Sequence, residues 1–161
     1  MHKKLLTNKV CKQISLSRVD TSNPPQFIRN IDCCEVLPSK IHGYGLLANM
    51  DISKGELLCL LDGQYISYQE YERFVAGMDD LPFIEWNALD GDMVMVRMLR
   101  TQYSFINHSR QPNCLVENCY PFGNLKLITS EAIQNGHELL LDYRNEPLPL
   151  AYKNGYGATY L

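Results

Sequence analysis

The chain has 161 residues, of which 45% are hydrophobic, so it can bury one core and leaves no room for a second sizeable domain. Its formal charge of −3 argues against sequence-independent binding to nucleic acid. Its apolar runs are far shorter than the roughly 20 residues that span a bilayer, and its start lacks the hydrophobic segment of a signal peptide. We therefore expect a soluble intracellular protein, in the cytoplasm or the nucleus.

Residues 1–30 show weak periodicity and end in a Thr-Ser-Asn-Pro-Pro sequence that is typical of a turn or linker. This predicts an N-terminal extension, residues 1–30, before a compact domain over 31–146. The extension is basic, which leaves open a hypothesis that this arm binds nucleic acid. The acidic stretch 70–92 either faces a basic partner or is an ordinary solvated surface.

Short runs of strand-forming residues recur after residue 30, separated by turn residues such as Lys54-Gly55 and Asn135-Gly136. They predict strands over 33–37, 46–48, 57–61, 64–66, 93–98, 114–117, 125–128 and 138–141. Residues 67–70 have capping-box spacing ahead of apolar residues on one helical face, and Gly77 suits the end of that helix. The expected fold class is mostly β, with several small sheets and few helices.

The six cysteines include no CxxC pair, and the adjacent Cys33 and Cys34 cannot both point to one face of a strand. We expect reduced thiols, no disulfide framework and no zinc or other metal site.

Three sequence blocks contain residues that suit a binding or catalytic site: Gly43-Tyr44-Gly45, the segment 103–114 with Asn107-His108, and the segment 136–143 that ends in Tyr143. From the residues alone, the two glycines either let backbone approach a ligand or only make a tight turn. Asn107 and His108 are expected to begin a turn outside the core, with a buried, satisfied histidine as the alternative. Without further information, Tyr143 is expected to be a core aromatic residue whose hydroxyl contacts solvent.

In this order and spacing, the blocks resemble the GxG, FINHSxxPN and GEELxxDY motifs of the SET-domain lysine methyltransferases. The resemblance covers about two thirds of the chain, from Glu35 to Tyr143. It implies a fold of several small sheets with a knot-like core, in which the segment ending in Tyr143 passes through a loop near Asn107.

The resemblance also implies a methyl donor, S-adenosylmethionine, with S-adenosylhomocysteine as the product. His42, Gly43 and Tyr44 match positions that line the methionine end of the donor. Asn107 and His108 match residues that hold its adenine and carboxylate ends. Tyr143 is the implied catalytic residue, whose hydroxyl meets the lysine nitrogen and the transferring methyl. The implied partner is a protein substrate with a lysine in a basic segment, such as a histone tail. The sequence does not indicate an oligomeric state.

Departures from the family pattern favour an alternative, a non-catalytic SET-like module that binds a protein partner. Ser104 stands where many members have arginine. Leu61, Val116 and Leu141 are aliphatic where members often have aromatic residues, which predicts a lysine channel with fewer aromatic walls. Tyr65 and Tyr68 are candidates to replace the missing rings.

The C-terminal tail, residues 147–161, lacks the cysteines of a zinc-binding tail. Its aromatic residues Tyr152, Tyr156 and Tyr160 either close over the donor and the channel or belong to a disordered end.

Overall fold

The computed structural model describes residues 25–78, 84–119 and 124–161. Its strands, in chain order, are β1 (Cys34–Pro38), β2 (Tyr44–Ala48), β3 (Leu57–Leu61), β4 (Gln64–Ser67), β5 (Glu85–Leu89), β6 (Met93–Arg97), β7 (Asn107–His108), β8 (Cys114–Cys119), β9 (Asn124–Thr129) and β10 (Leu140–Leu141). The helices are α1 (Tyr68–Ala76) and α2 (Leu150–Asn154), and short 3₁₀ turns cover Gln102–Phe105, Tyr143–Asn145 and Tyr156–Thr159. The mostly β fold class is confirmed.

The strands form four small sheets. β1 pairs with β2, β9 lies between β3 and β8, and β6 lies between β4 and β5, all antiparallel. β7 and β10 form a short parallel pair. Because a parallel pair joins segments that are distant in sequence, this sheet brings the second and third sequence blocks together.

The burial pattern of the central strands explains why the sequence forms them. In β9, Leu125, Leu127 and Thr129 are buried and alternate with less buried residues, as expected for a strand with one face on the core. In β6, Val94, Met95 and Val96 are all buried. A central strand covered on both faces reads as such a continuous apolar run.

Helix α1 begins and ends where the sequence predicts. Ser67 Oγ accepts from the backbone N–H of Glu70 at 3.2 Å, and the Glu70 carboxylate accepts from the backbone N–H of Ser67 at 2.9 Å. This reciprocal capping box satisfies two donors that the first turn cannot use. The helix packs through Tyr68 and Tyr71, whose rings lie 5.7 and 5.9 Å from that of Trp86 in β5.

Three local expectations need correction. Asn107 and His108 form strand β7 rather than the start of a turn, because their backbone pairs with β10. The strand expected over 138–141 is reduced to Leu140–Leu141. Strand β5 was not predicted, since Glu85-Trp86-Asn87-Ala88-Leu89 lacks a clear alternation of polar and apolar residues.

Hydrogen bonds from residues 107–113 hold the segment 138–141 along its length. The backbone N–H of Ser109 donates to Leu141 O at 2.9 Å, and that of Asn113 donates to Leu140 O at 3.2 Å. The Asn113 side chain donates to Glu138 O and accepts from the Leu140 N–H, both at 2.8 Å. This loop therefore fixes the position from which the chain enters Tyr143.

Residues before the expected domain boundary also contact the domain. The ring of Phe27 lies 5.2 Å from that of Phe105, and the backbone N–H of Ile28 donates to Arg100 O at 2.8 Å. The rest of the proposed basic arm, residues 1–24, lies outside the described residues. In the described part of the chain, no helix is long and apolar enough to cross a membrane.

Candidate active site

The side-chain amide of Asn107 joins the first two sequence blocks. Its Nδ2 atom lies 3.2 Å from the carbonyl oxygens of both His42 and Tyr44, 3.2 Å from Oγ of Ser39 and 2.6 Å from Oε1 of Glu138. Oxygen neighbours on this side require the nitrogen, not the oxygen, of the amide to face them. The oxygen of Asn107 therefore faces away from this cluster.

Gly43 and Gly45 are needed for two different reasons. Gly43 has a φ of +52°, in the left-handed region that favours glycine. A Cβ placed there would meet no heavy atom within 4 Å, so this backbone borders open space. A Cβ at Gly45 would overlap the carboxylate of Glu138. The first glycine shapes the turn, and the second lets Glu138 reach Asn107.

His108 and Tyr143 are linked through the backbone of Tyr143. That N–H donates to Nδ1 of His108 at 3.1 Å, and the two rings lie 5.2 Å apart. Accepting this bond uses the lone pair of Nδ1, so the approach of Nδ1 to Asp142 Oδ1, at 3.8 Å, is not an ion pair. Asp142 binds Arg144 instead, whose Nε donates to it at 2.8 Å and lowers the pKa of Asp142 to about 2.

The hydroxyl of Tyr143 donates to the carbonyl oxygen of Ile106, the residue before Asn107. Burial raises the pKa of Tyr143 well above its usual range. The phenol therefore keeps its proton at neutral pH, so it can orient a group by hydrogen bonding but does not act as a base.

A cavity of about 220 Å³ borders Tyr143. Its walls carry aromatic rings, aliphatic side chains and two carboxylates: Trp86, Tyr103, Tyr143 and Tyr152; Ile106, Leu141 and Leu148; and Glu85 and Glu146. The residues predicted to bind the donor, His42, Gly43, Tyr44, Asn107 and His108, are not part of its lining. Tyr143 both lines the cavity and contacts His108, so it stands between the two regions.

The tail folds back toward this region. Tyr160 follows α2 and the last 3₁₀ turn, and its ring lies 6.4 Å from His108 and 6.3 Å from Tyr143. The hydroxyls of Tyr152 and Tyr160 are hydrogen-bonded to each other. Tyr152 thus reaches the cavity while Tyr160 covers the His108 side of Tyr143.

Only some of the residues that the sequence predicts near the lysine channel line the cavity. Leu141 and Ser104 line the cavity. Leu61 does not, because it is only 1% exposed and packs in the core with Met95 and Leu125. Val116 also packs against the core.

The cavity is nevertheless rich in aromatic walls. Neither Tyr65 nor Tyr68 lines the cavity. Tyr65 is exposed, and the ring of Tyr68 packs against that of Trp86. Trp86 and Tyr103 do so, and sequence reasoning gave neither of them a role. Two features of the sequence could have pointed to them. Tyr103 lies within the second sequence block, and Trp86 is the chain's only tryptophan.

Among the described residues, no group of histidine, cysteine, aspartate and glutamate is arranged to hold a metal ion. The five described cysteines are free thiols, with the Sγ atoms of Cys33 and Cys34 3.8 Å apart. Burial raises the pKa of Cys59 and Cys114 to about 12, so these thiols are inert at neutral pH.

Fold and site together define a class: a domain of small β-sheets in which an Asn-His pair and a C-terminal tyrosine meet where two distant segments pair. The family model described as SET domain matches residues 43–144. The chain belongs to the SET domain family.

Two curated relatives each match about two thirds of the chain. "Histone-lysine N-methyltransferase MEDEA" from Arabidopsis thaliana is 27% identical over 108 residues, covering 65% of this chain and 16% of its own length. "Histone-lysine N-methyltransferase, H3 lysine-36 specific" from Debaryomyces hansenii is 26% identical over 113 residues, covering 67% of this chain and 16% of its own. The chain thus spans about one sixth of the length of these relatives.

Solved structures share the fold. An apo ctPRC2 with two mutations in Ezh2 has a TM-score of 0.59 at 24% identity and covers 75% of this chain and 16% of its own. An active polycomb repressive complex 2 in the stimulated state has a TM-score of 0.57 at 24% identity and covers 68% of this chain and 15% of its own.

Proposed function

We propose that the protein is an S-adenosylmethionine-dependent protein-lysine N-methyltransferase that acts on a lysine in a basic protein segment such as a histone tail. One observation carries this proposal. Tyr143 stands between the Asn107-His108 region and an aromatic cavity, which is the arrangement needed to bring a donor and a lysine to one point from two sides. The names of the two curated relatives support the reaction and the substrate class.

The donor is assigned to the region around Asn107. The backbone beside Gly43 borders open space, and the carbonyl oxygens of His42 and Tyr44 each have a second lone pair besides the one that Asn107 uses. These groups suit the ammonium and sulfonium of an amino-acid-derived cation. When bound, the donor supplies an electrophilic methyl group. We assign Tyr160, which lies over His108 and Tyr143, to closing this side of the site.

The lysine side chain is assigned to the cavity. Free lysine has a pKa of roughly 10.4, so the attacking nitrogen must lose a proton and be aimed at the methyl group. The apolar part of the wall favours the neutral amine over the ammonium at the point of attack. The Tyr143 hydroxyl and the Ile106 carbonyl, which lie together at the wall, then hold the amine. Positioning of this kind can lower a barrier by about 7 to 11 kcal/mol.

The alternative, a non-catalytic SET-like module that docks a protein, is favoured by one observation. Leu141 and Ser104 line the cavity where the family resemblance has an aromatic residue and, before Phe105, an arginine. A histone substrate would place the protein in the nucleus, and the module would not require this.

Calorimetry with S-adenosylmethionine and S-adenosylhomocysteine tests the donor site. We expect one site per chain for each ligand. A folded protein that shows neither heat nor a thermal shift at millimolar ligand would rule out the enzyme. Donor binding without transfer of labelled methyl to histones or to total protein would instead support the module.

A further inference from the structure

We propose that Glu146 is the anionic group in the cavity that receives the ammonium of the substrate side chain and takes its proton. This inference rests on the proposed function for the transfer step, but the binding of an aliphatic ammonium by Glu146 can be tested without transfer.

Two glutamates line the cavity, and the charge of one of them, Glu85, is paired within the protein. Glu85 accepts from Nε of Arg97 at 2.7 Å and from the backbone N–H of Thr101 at 2.8 Å, with further bonds from the Thr101 hydroxyl. Arg97 also donates to Asn87. Glu85 therefore ties β5 to β6 and has its charge balanced within the protein.

Glu146 differs in having no such partner among the described residues. The 3₁₀ turn that begins at Tyr143 ends at Glu146, whose backbone N–H donates to Tyr143 O at 3.1 Å. This turn brings the carboxylate back to the cavity that Tyr143 lines. Glu146, Tyr103 and Tyr143 line the same cavity. Burial raises the pKa of both phenols, and the charge of Glu146 raises it further.

The other groups that face Glu146 suit an organic cation. The phenols of Tyr103, Tyr143 and Tyr152 stay protonated because burial raises the pKa of each. Together with Trp86 they line the cavity, and aromatic rings attract ammonium groups. With Glu85 paired to Arg97, Glu146 is the unbalanced charge of the described lining. Burial raises the pKa of Glu146 to about 7, so it is ionised just above neutral pH.

The substrate ammonium first gives a proton to Glu146. One N–H bond of the substrate ammonium breaks, its electron pair stays on nitrogen, and an O–H bond forms at Glu146. The neutral amine then uses that pair to form a bond to the methyl carbon, while the pair of the breaking C–S bond stays on sulfur. The product is a methylammonium, and the proton on Glu146 leaves to water when the product departs. Tyr143 orients the amine and accepts no proton.

Trp86 provides a direct readout, because it lines the cavity and is the only tryptophan of the chain. The full chain would be titrated with n-butylammonium chloride at constant ionic strength, and separately with n-butanol. Tryptophan fluorescence would be followed at about pH 8, above the raised pKa of Glu146. We expect the cation to bind the wild type, and Glu146→Gln to weaken that binding about tenfold while leaving n-butanol binding unchanged. Glu131→Gln is the matched control, since Glu131 is exposed and outside the cavity lining.

A second readout separates this inference from the proposed function. In methyl transfer, the wild-type kcat/KM should fall as the pH drops through about 7. Glu146→Gln should lose about 100-fold in kcat/KM together with this pH dependence, and Glu146→Asp should retain part of both. Circular dichroism would confirm that the variants fold.

The possible outcomes are distinct. No response of the wild type to n-butylammonium, or an equal response of Glu146→Gln, overturns the inference. Transfer by Glu146→Gln at the wild-type rate and pH dependence overturns the proton step while the proposed function stands. Binding of the cation that depends on Glu146, in a protein that transfers no methyl group, overturns the proposed function and retains Glu146 as the cation-binding group.

Discussion

Nδ2 of Asn107 lies 2.6 Å from Oε1 of Glu138, a residue 31 positions further along the chain. Glu138 also accepts from Oγ of Ser39 at 2.9 Å. The three sequence blocks of the domain therefore meet at one side-chain amide. Because a charged acceptor makes a stronger hydrogen bond than a neutral one, Glu138 fixes the amide more firmly than the backbone carbonyls alone would.

The first prediction concerns this amide. Asn107→Ala removes the N–H donor that the carbonyls of His42 and Tyr44 and the carboxylate of Glu138 share, while Glu138 keeps its bond from Ser39. We expect the free energy of unfolding to fall by about 1 to 3 kcal/mol, and S-adenosylmethionine affinity to fall at least about tenfold. Denaturant unfolding and calorimetry measure the two effects. Asn118→Ala, at an exposed position of β8, is the control and should change neither. Equal behaviour of the two variants would contradict the role given to Asn107.

The second prediction concerns the second glycine of the first block. In Gly45→Ala the added methyl group would overlap the carboxylate of Glu138, so Glu138 must move away from Asn107. We expect a lower melting temperature and weaker donor binding. At Gly77 the nearest atom to an added Cβ is 3.8 Å away, so Gly77→Ala should be tolerated. A Gly45→Ala protein as stable as Gly77→Ala would show that Glu138 is not held where the structure places it.

The third prediction is a pH dependence of stability. Burial raises the pKa of Glu146 to about 7 in the folded chain, against roughly 4.3 when unfolded. The unfolded state therefore loses its proton first, and this group lowers stability progressively as the pH rises from about 4 to about 7. Glu146→Gln removes that penalty. We expect the variant to be more stable than the wild type at about pH 8 and not at about pH 4, as measured by denaturant unfolding, with Glu131→Gln as the control. A stability difference independent of pH would contradict the burial of this carboxyl.

The fourth prediction concerns the tail. If Tyr160 closes over the donor, Tyr160→Ala should weaken S-adenosylmethionine binding by about 1 to 3 kcal/mol, the range for an aromatic ring stacked on a nucleobase. Tyr65→Ala removes an exposed ring in β4 and should have no effect. Unchanged donor affinity in Tyr160→Ala would show that the tail does not cover the donor.

Helix ends and single strands that depend on neighbouring residues could be predicted from local patterns in the sequence. The capping box at Ser67 and the glycine at Gly77 set the ends of α1, and the apolar run at residues 57–61 formed β3 as expected. The sequence does not predict strand β5, because two of its five residues, Glu85 and Asn87, are polar. Both are buried, and both bond to Arg97. A partner ten or more residues away leaves no local pattern in the sequence.

In the site, too, residues within sequence motifs could be predicted, while residues placed by distant contacts could not. The ordered blocks predict Asn107, His108 and Tyr143 as site residues. The structure places Tyr143 against His108, the neighbour of Asn107. The cavity was less predictable, because Leu61 turned out to pack in the core while Trp86 and Tyr103 supplied the rings. Glu146 carries no sequence signal, since only the turn after Tyr143 directs its carboxylate back to the cavity.

Transfer of labelled methyl from S-adenosylmethionine to a panel of histones, by the wild type and by Tyr143→Phe, tests the central claim most directly. The phenol positions the amine in the transition state, so its loss should lower kcat and kcat/KM together by roughly 3 to 4 kcal/mol of barrier. Donor affinity should stay within a few fold, because the ring and its contact with His108 remain. Transfer by Tyr143→Phe at the wild-type rate, or no transfer by a wild type that binds the donor, would contradict the account.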